Sequence, residues 1–214
     1  MQYFLGIDIG TYESKGVLTD KEGNIIASAT HPHKMLVPDP GWAEHRPEED
    51  WWNDFVKITK KILKASKINP GDISCIATSA IGPCMLPVSY EGDPLMNAVL
   101  YGVDTRAENE IRELNEEVGE EKILQNCGNA LTSQSVGPKI LWLKKNCPEI
   151  FKRAGKILSS TSFLVQKLTG ESVIDHYTAA NFTPLYDIKN LKWTDALTKN
   201  IIEIERLTKL MWTT

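Results

Sequence analysis

The sequence predicts an α/β fold whose mixed sheet opens with an antiparallel three-strand meander and is flanked by helices. Three observations carry this expectation. Residues 3–8, 14–19 and 25–31 are consecutive β-like runs, and Asp20-Lys21-Glu22-Gly23-Asn24 between the last two is a hairpin turn. Residues 47–66 then read as one amphipathic helix, and strands return at 73–79, 85–90 and 97–101. A meander, a helix and returning strands make a ribonuclease-H-like pattern, not the strict βαβ alternation of a doubly wound sheet.

The elements follow from local chemistry. Residues 32–50 are rich in proline and charge and read as an ordered loop. Pro47 stands near the start of the next helix, with Glu48, Glu49 and Asp50 in its first turn, where the dipole favours anions. Trp52, Phe55, Val56, Ile62 and Leu63 are expected on its apolar face, and Asn69-Pro70-Gly71-Asp72 ends the unit. Glu91-Gly92-Asp93-Pro94 is a turn before the strand at 97–101, and from Thr105 the chain becomes helical. Ala107, Ile111, Leu114 and Val118 share one helical face, with Asp104 or Thr105 as the expected cap. Helices are predicted at 120–126, 138–146, 148–153, 160–168 and 194–206, with a short strand at 156–158.

Length and composition narrow the function classes. A chain of 214 residues with 42% hydrophobic and 24% charged residues suits one large or two small globular domains. Its formal net charge of −4 argues against a nucleic-acid or anionic-membrane surface, either of which calls for a basic stripe. No apolar run is long enough to span a bilayer, and the N-terminal residues lack the pattern of a signal peptide. Cys75, Cys84, Cys127 and Cys147 have no metal-ligand spacing; they read as reduced, mostly buried thiols of a cytoplasmic protein.

Gly6-Ile7-Asp8-Ile9-Gly10-Thr11 carries the most chemistry. It runs strand, turn, strand, so the turn itself, not a helix N-terminus, must meet any phosphate. Gly10 lets backbone N–H groups approach an anion, Thr11 and Ser14 add hydroxyls, Lys15 adds a positive charge, and Asp8 offers an oxygen to Mg²⁺. An ordinary Asp-Gly hairpin is the plainer reading of the same residues.

Joined to that turn, Pro38-Asp39-Pro40-Gly41-Trp42-Ala43-Glu44-His45 leading into Arg46-Pro47-Glu48-Glu49-Asp50-Trp51-Trp52 resembles the N-terminal domain of the FGGY carbohydrate kinases. Asp104-Thr105-Arg106, Lys139-Ile140-Leu141-Trp142-Leu143-Lys144 and Leu168-Thr169-Gly170-Glu171 extend the resemblance over essentially the whole chain. It implies an actin-like ATPase fold that transfers the γ-phosphate of ATP, with Mg²⁺, to a small-molecule sugar or polyol hydroxyl, a xylulose-like substrate being the first expectation and gluconate or glycerol the others. Asp8 would then help hold the metal, while Gly10, Thr11, Ser14 and Lys15 cradle the phosphates. Gly82, Tyr101, Asp104, Arg106 and Trp42 would line the sugar pocket. Neither nucleic acid nor membrane is an expected partner, and a homodimer is allowed.

Two departures concern the substrate. The loop Ala80-Ile81-Gly82-Pro83-Cys84 has no polar side chain before the cysteine, and Leu100-Tyr101-Gly102-Val103-Asp104 lacks the tryptophan that many members place just before the aspartate. The family's Gly-Asp motif, which carries its catalytic base, is not found before Thr214. Residues 1–214 are therefore expected to be the N-terminal domain of a longer kinase, with the base beyond Thr214 and the adenine pocket in an absent C-terminal domain. A sugar- or partner-binding module of the same fold, or a sugar-independent actin-like ATPase, are the alternatives.

Overall fold

A computed structural model describes residues 2–213, and the chain divides into two compact units. The first comprises residues 2–35 and 46–81. Its strands are β1 (Tyr3–Ile9), β2 (Glu13–Asp20) and β3 (Ile25–Pro32), β4 (Glu44–His45) belonging to the second unit, and β5 (Ile73–Ala80). The sheet order is β3-β2-β1-β5, with β1 antiparallel to β2 and parallel to β5, so the predicted meander and returning strand form one mixed sheet. The hairpin between β2 and β3 is closed by Asp20, whose carboxylate accepts the Glu22 and Asn24 N–H groups.

The predicted helix begins with a π-helical turn, Pro47–Trp52, and continues as α1 (Asn53–Ser66). Asp50 reaches back to accept the Arg46 N–H at 2.8 Å, as the acidic member of a capping box does. The buried face is Trp51, Phe55, Ile58 and Ile62, not the stripe expected through Trp52, Val56 and Leu63, which are only half-buried. Gly16 allows this face close to the sheet: a Cβ there would lie 2.4 Å from Ile58 Cγ2. Leu5, Ile7, Ile9 and Leu18 complete the core of this unit.

The second unit comprises residues 36–45 and 82–213. It contains β6 (Leu86–Val88), β7 (Ala98–Val99), α2 (Glu108–Val118), α3 (Glu120–Cys127), α4 (Val136–Asn146), α5 (Pro148–Arg153), β8 (Lys156–Leu158), α6 (Ser160–Thr169), β9 (Val173–Asp175), α7 (His176–Ala179), β10 (Tyr186–Asp187), β11 (Lys192–Trp193) and β12 (Lys209–Met211). A continuous apolar core runs from Met85 through Leu114, Ile140, Leu143, Phe151 and Ile157 to Phe182 and Ile201.

Several expectations are corrected here. The helix expected at 194–206 is absent; only Ile204–Arg206 turns, as a short 3₁₀ helix. Thr194 and Thr198 hydroxyls accept the N–H groups of Ala196 and Asn200, local bonds that compete with a helical ladder. Ile201 and Ile202 are buried in the core and Leu197 packs against it, all from an irregular segment. The strand at 85–90 shortens to β6 because Ser89 starts a turn that gathers the Glu91 and Asp93 N–H groups. Of the four thiols only Cys84 and Cys127 are buried; Cys147 is half-buried and Cys75, on the edge strand β5, is exposed.

Candidate functional site

In the first unit, the turn between β1 and β2 is pinned by a hydrogen bond from the Gly10 N–H to the Glu13 carbonyl at 3.1 Å. A Cβ on Gly10 would sit 2.7 Å from that carbonyl, so a side chain there would open the turn. Close approach of backbone to backbone already requires this glycine, before any ligand is considered. Thr11 lies half-buried in the turn.

Asp8 is opposite Lys15 on β2 and opposite Ser79 on β5. All three side chains are exposed on one face of the sheet, and Ser79 Oγ donates to Asp8 Oδ1 at 2.9 Å. Lys15 is 63% exposed and lies 3.8 Å from the Glu13 carboxylate, a solvated pair that leaves its charge mobile. Together with Gly6, Val17 and Ala77 these residues line a shallow depression of about 360 Å³. That lies at the small end of the roughly 300–1,000 Å³ typical of small-molecule sites.

Ser14 does not join them. Neighbouring residues of a strand face opposite ways, so Ser14 and Lys15 cannot serve one ligand on one face. Ser14 is fully buried on the α1 side, where its hydroxyl donates to Asp54 at 2.9 Å. The expected phosphate donor is thus a support beneath the turn.

The expected sugar residues belong to the second unit. Asp104 caps no helix, since α2 begins at Glu108 behind Ala107. Its carboxylate is fully buried and accepts the Ala43 N–H at 2.6 Å and the Arg106 guanidinium at 2.8–3.0 Å. Arg106 precedes the helix and also donates to Glu44 at 2.9 Å. The guanidinium carbon lies 4.0 Å from the ring centre of Trp42 and 5.0 Å from that of Trp142, and the two rings meet edge to face at 5.3 Å. Desolvated cation–π contact of this kind offsets part of the cost of burying the charge. Asp104, Arg106 and Trp42 therefore lock Gly41–Glu44 to the segment following Tyr101, and Gly41 at φ +79° makes the bend. Tyr101 and Gly102 are half-buried beside this lock, and a Cβ on Gly82 would meet nothing within 4 Å.

Three supports escaped the sequence reading. Lys139, fully buried on α4, donates to the carbonyls of Leu100 and Tyr101, the latter at 2.8 Å. These carbonyls are thereby withdrawn from strand pairing, which is why the strand expected at 97–101 stops at Val99. Burial pulls the Lys139 pKa down to about 8, against the opposing pull of Asp104. Burial likewise pushes the Cys84 thiol up to about 12, which makes it inert. Ser133 Oγ donates to the Gly102 carbonyl at 2.8 Å, and Gln134 Oε1 accepts the Gly102 N–H at 3.2 Å. The available signal for Lys139 was its place among Val136, Ile140 and Leu143, on the apolar stripe of α4.

Lys139→Met should lower the unfolding free energy by about 2–4 kcal/mol, since two buried carbonyls lose their donor. Urea titration reads the effect, and an unchanged midpoint would remove Lys139 from this role.

Asp175-His176-Tyr177 is a sequence-adjacent acid and histidine whose contacts are structural. Asp175 caps α7 through the Thr178 N–H, and His176 Nδ1 lies 2.6 Å from the Tyr186 hydroxyl. Among the described residues no group of three or more His, Cys, Asp or Glu side chains could hold a metal ion, and no helix is long and apolar enough to cross a membrane.

A strand–turn–strand with an exposed aspartate and lysine on one sheet face, carried by a mixed β3-β2-β1-β5 sheet, defines a candidate nucleotide-phosphate domain. The profile of the FGGY family of carbohydrate kinases, N-terminal domain, matches residues 3–213, and the chain belongs to this family. A glycerol kinase of Thermococcus gammatolerans is 34% identical over 200 residues, covering 92% of this chain and 40% of the relative. A xylulose kinase of Staphylococcus xylosus is 29% identical over 197 residues, covering 92% and 40%. The crystal structure of a gluconate kinase from Lactobacillus acidophilus superimposes with a TM-score of 0.88 at 26% identity, over 98% of this chain and 42% of that one. The fold is therefore the actin-like one expected from the sequence. The chain spans about two fifths of the length of the curated relatives it matches.

Proposed function

We propose that this chain is the N-terminal domain of a longer cytoplasmic kinase that phosphorylates a small sugar or polyol with ATP. The observation that carries the reading is the β1–β2 turn, with Asp8 and Lys15 exposed side by side beyond a glycine that admits no side chain. A single exposed carboxylate fits Mg²⁺, which is commonly held by one or two carboxylates plus substrate phosphates and retained waters. When bound, that ion neutralises charge on the transferring phosphoryl group. Asp8 would hold it, while Gly10, Thr11 and Lys15 receive the phosphates.

In the reaction a substrate hydroxyl oxygen bonds to the γ-phosphorus as the bond to the β–γ bridging oxygen breaks. ADP leaves, and the hydroxyl proton passes to a base supplied from beyond Thr214. Tyr101, Gly82 and the exposed part of Trp42 are the proposed sugar contacts. Asp104 and Arg106 act behind them, by fixing the loop.

Relatives named as glycerol and xylulose kinases and a structure named as a gluconate kinase put polyols, ketoses and aldonates on the same panel. Release of ADP by the full-length protein with Mg-ATP, measured across that panel, tests the proposal. One strong responder would name the substrate, and ADP release indifferent to every sugar would contradict the kinase reading.

A further inference from the structure

Beneath the β1–β2 turn lies a cluster that the phosphate-turn reading does not use. Asp54, in the first turn of α1, is 1% exposed. Its Oδ2 accepts the Ser14 hydroxyl at 2.9 Å and lies 2.9 Å from His33 Nδ1. The other ring nitrogen, His33 Nε2, lies 3.0 Å from the Gly10 carbonyl, and the His33 backbone N–H donates to the Tyr12 carbonyl at 2.9 Å. The His33 side chain is 4% exposed.

Serine, histidine and aspartate together invite comparison with a hydrolytic triad, and the geometry excludes it. A triad needs one ring nitrogen on the serine and the other on the carboxylate. Here Ser14 and His33 converge on the same carboxylate oxygen, the second nitrogen faces a main-chain carbonyl, and Ser14 is fully buried.

The two acceptors decide the protonation of the ring. A neutral imidazole carries one N–H, and neither an ionised carboxylate nor a carbonyl can donate to it. Both contacts are hydrogen bonds only when both nitrogens are protonated. Around Asp54, Oδ2 meets the Ser14 hydroxyl and His33 Nδ1, while Lys57 Nζ and His31 Nδ1 lie 3.8 and 3.9 Å from Oδ1. We propose that His33 is a positioning residue for the phosphate turn, its imidazolium tying the Gly10 carbonyl to Asp54. This rests on the phosphate-turn reading of Asp8, Gly10, Thr11 and Lys15. With the Gly10 and Tyr12 carbonyls both held by His33, the turn is fixed on its inner side before any ligand arrives, which is what preorganisation of an anion site requires.

The electrostatics agree. Burial works against a charge on His33, but the bond to Asp54, the Asp54 charge, the Gly10 carbonyl and the Asp50 charge together raise its pKa above the ordinary 6.5. The folded state thus holds the proton more tightly than the unfolded chain. The brace is complete below the unfolded value and is lost as pH rises through the raised folded value.

Nitrogen-15 shifts of the His33 ring in the full-length protein at neutral pH should show both nitrogens protonated. His33→Gln has a single donor nitrogen and cannot span both acceptors; amide exchange at residues 10–13 should quicken by about tenfold, and KM for Mg-ATP should rise by about tenfold with kcat within about twofold. Asp54→Asn should lower the pH at which the wild-type ring loses its second proton. A ring nitrogen found unprotonated at neutral pH overturns the proposal without recourse to any variant. So does unchanged turn exchange in His33→Gln, whatever the activity. A doubly protonated ring and quickened exchange, in a protein that transfers no phosphate to any sugar, would uphold the brace and overturn the kinase reading instead.

Discussion

An Arg106→Met variant is expected to lose about 3–5 kcal/mol of stability, the usual consequence of removing one partner from a buried ion pair. Arg106 has no exposed side-chain surface, and it is the shared partner of Asp104 and Glu44. Without it, Asp104 retains the Ala43 N–H and Glu44 retains the Asn97 amide, but both buried carboxylates lose the guanidinium they pair with. Methionine can still fill the space between Trp42 and Trp142, so the loss reports charge more than cavity. The urea midpoint should fall with the slope unchanged. Adding Asp104→Asn to the variant should recover part of the loss, because one orphaned charge goes with it. A fall below about 1 kcal/mol would mean that the trio behaves as a solvated surface pair.

Asp8→Asn is expected to do the opposite, abolishing function and sparing the fold. The side chain is exposed, and asparagine can keep the bond from Ser79 through its carbonyl oxygen. Thermal unfolding should shift by no more than a surface substitution does, within about 0.5 kcal/mol. Turnover by the full-length protein should fall by about a hundredfold or more, since a misheld metal or phosphate removes stabilisation of the transferring group. Near-normal turnover with an intact fold would take Asp8 out of the site.

What was legible in the sequence was what short-range chemistry specifies. The meander was readable because three runs of strand formers are joined by turn residues such as Asp20 and Gly23, and α1 because proline and three acids open it ahead of an apolar stripe. The family was readable because the Pro-Gly-Trp-x-Glu segment is distinctive. Long-range partners were not legible. Nothing local in Ser14 says that Asp54, forty residues on, claims its hydroxyl, and nothing in Asp104 announces Ala43 and Arg106 as its occupants. Strand alternation did hold the clue that Ser14 and Lys15 face opposite ways. The segment 194–206 is irregular instead of helical because the Thr194 and Thr198 hydroxyls capture local N–H groups while Ile201 and Ile202 fill the core.

The most direct test of phosphoryl transfer to a sugar follows phosphorus. The full-length protein, incubated with Mg-ATP and the best sugar of the panel, is monitored by phosphorus NMR. A new phosphate monoester resonance should grow in step with ADP while inorganic phosphate stays at background, and should disappear in Asp8→Asn. Inorganic phosphate growing in step with ADP, with no ester formed, would contradict it and identify an ATPase built on the same fold.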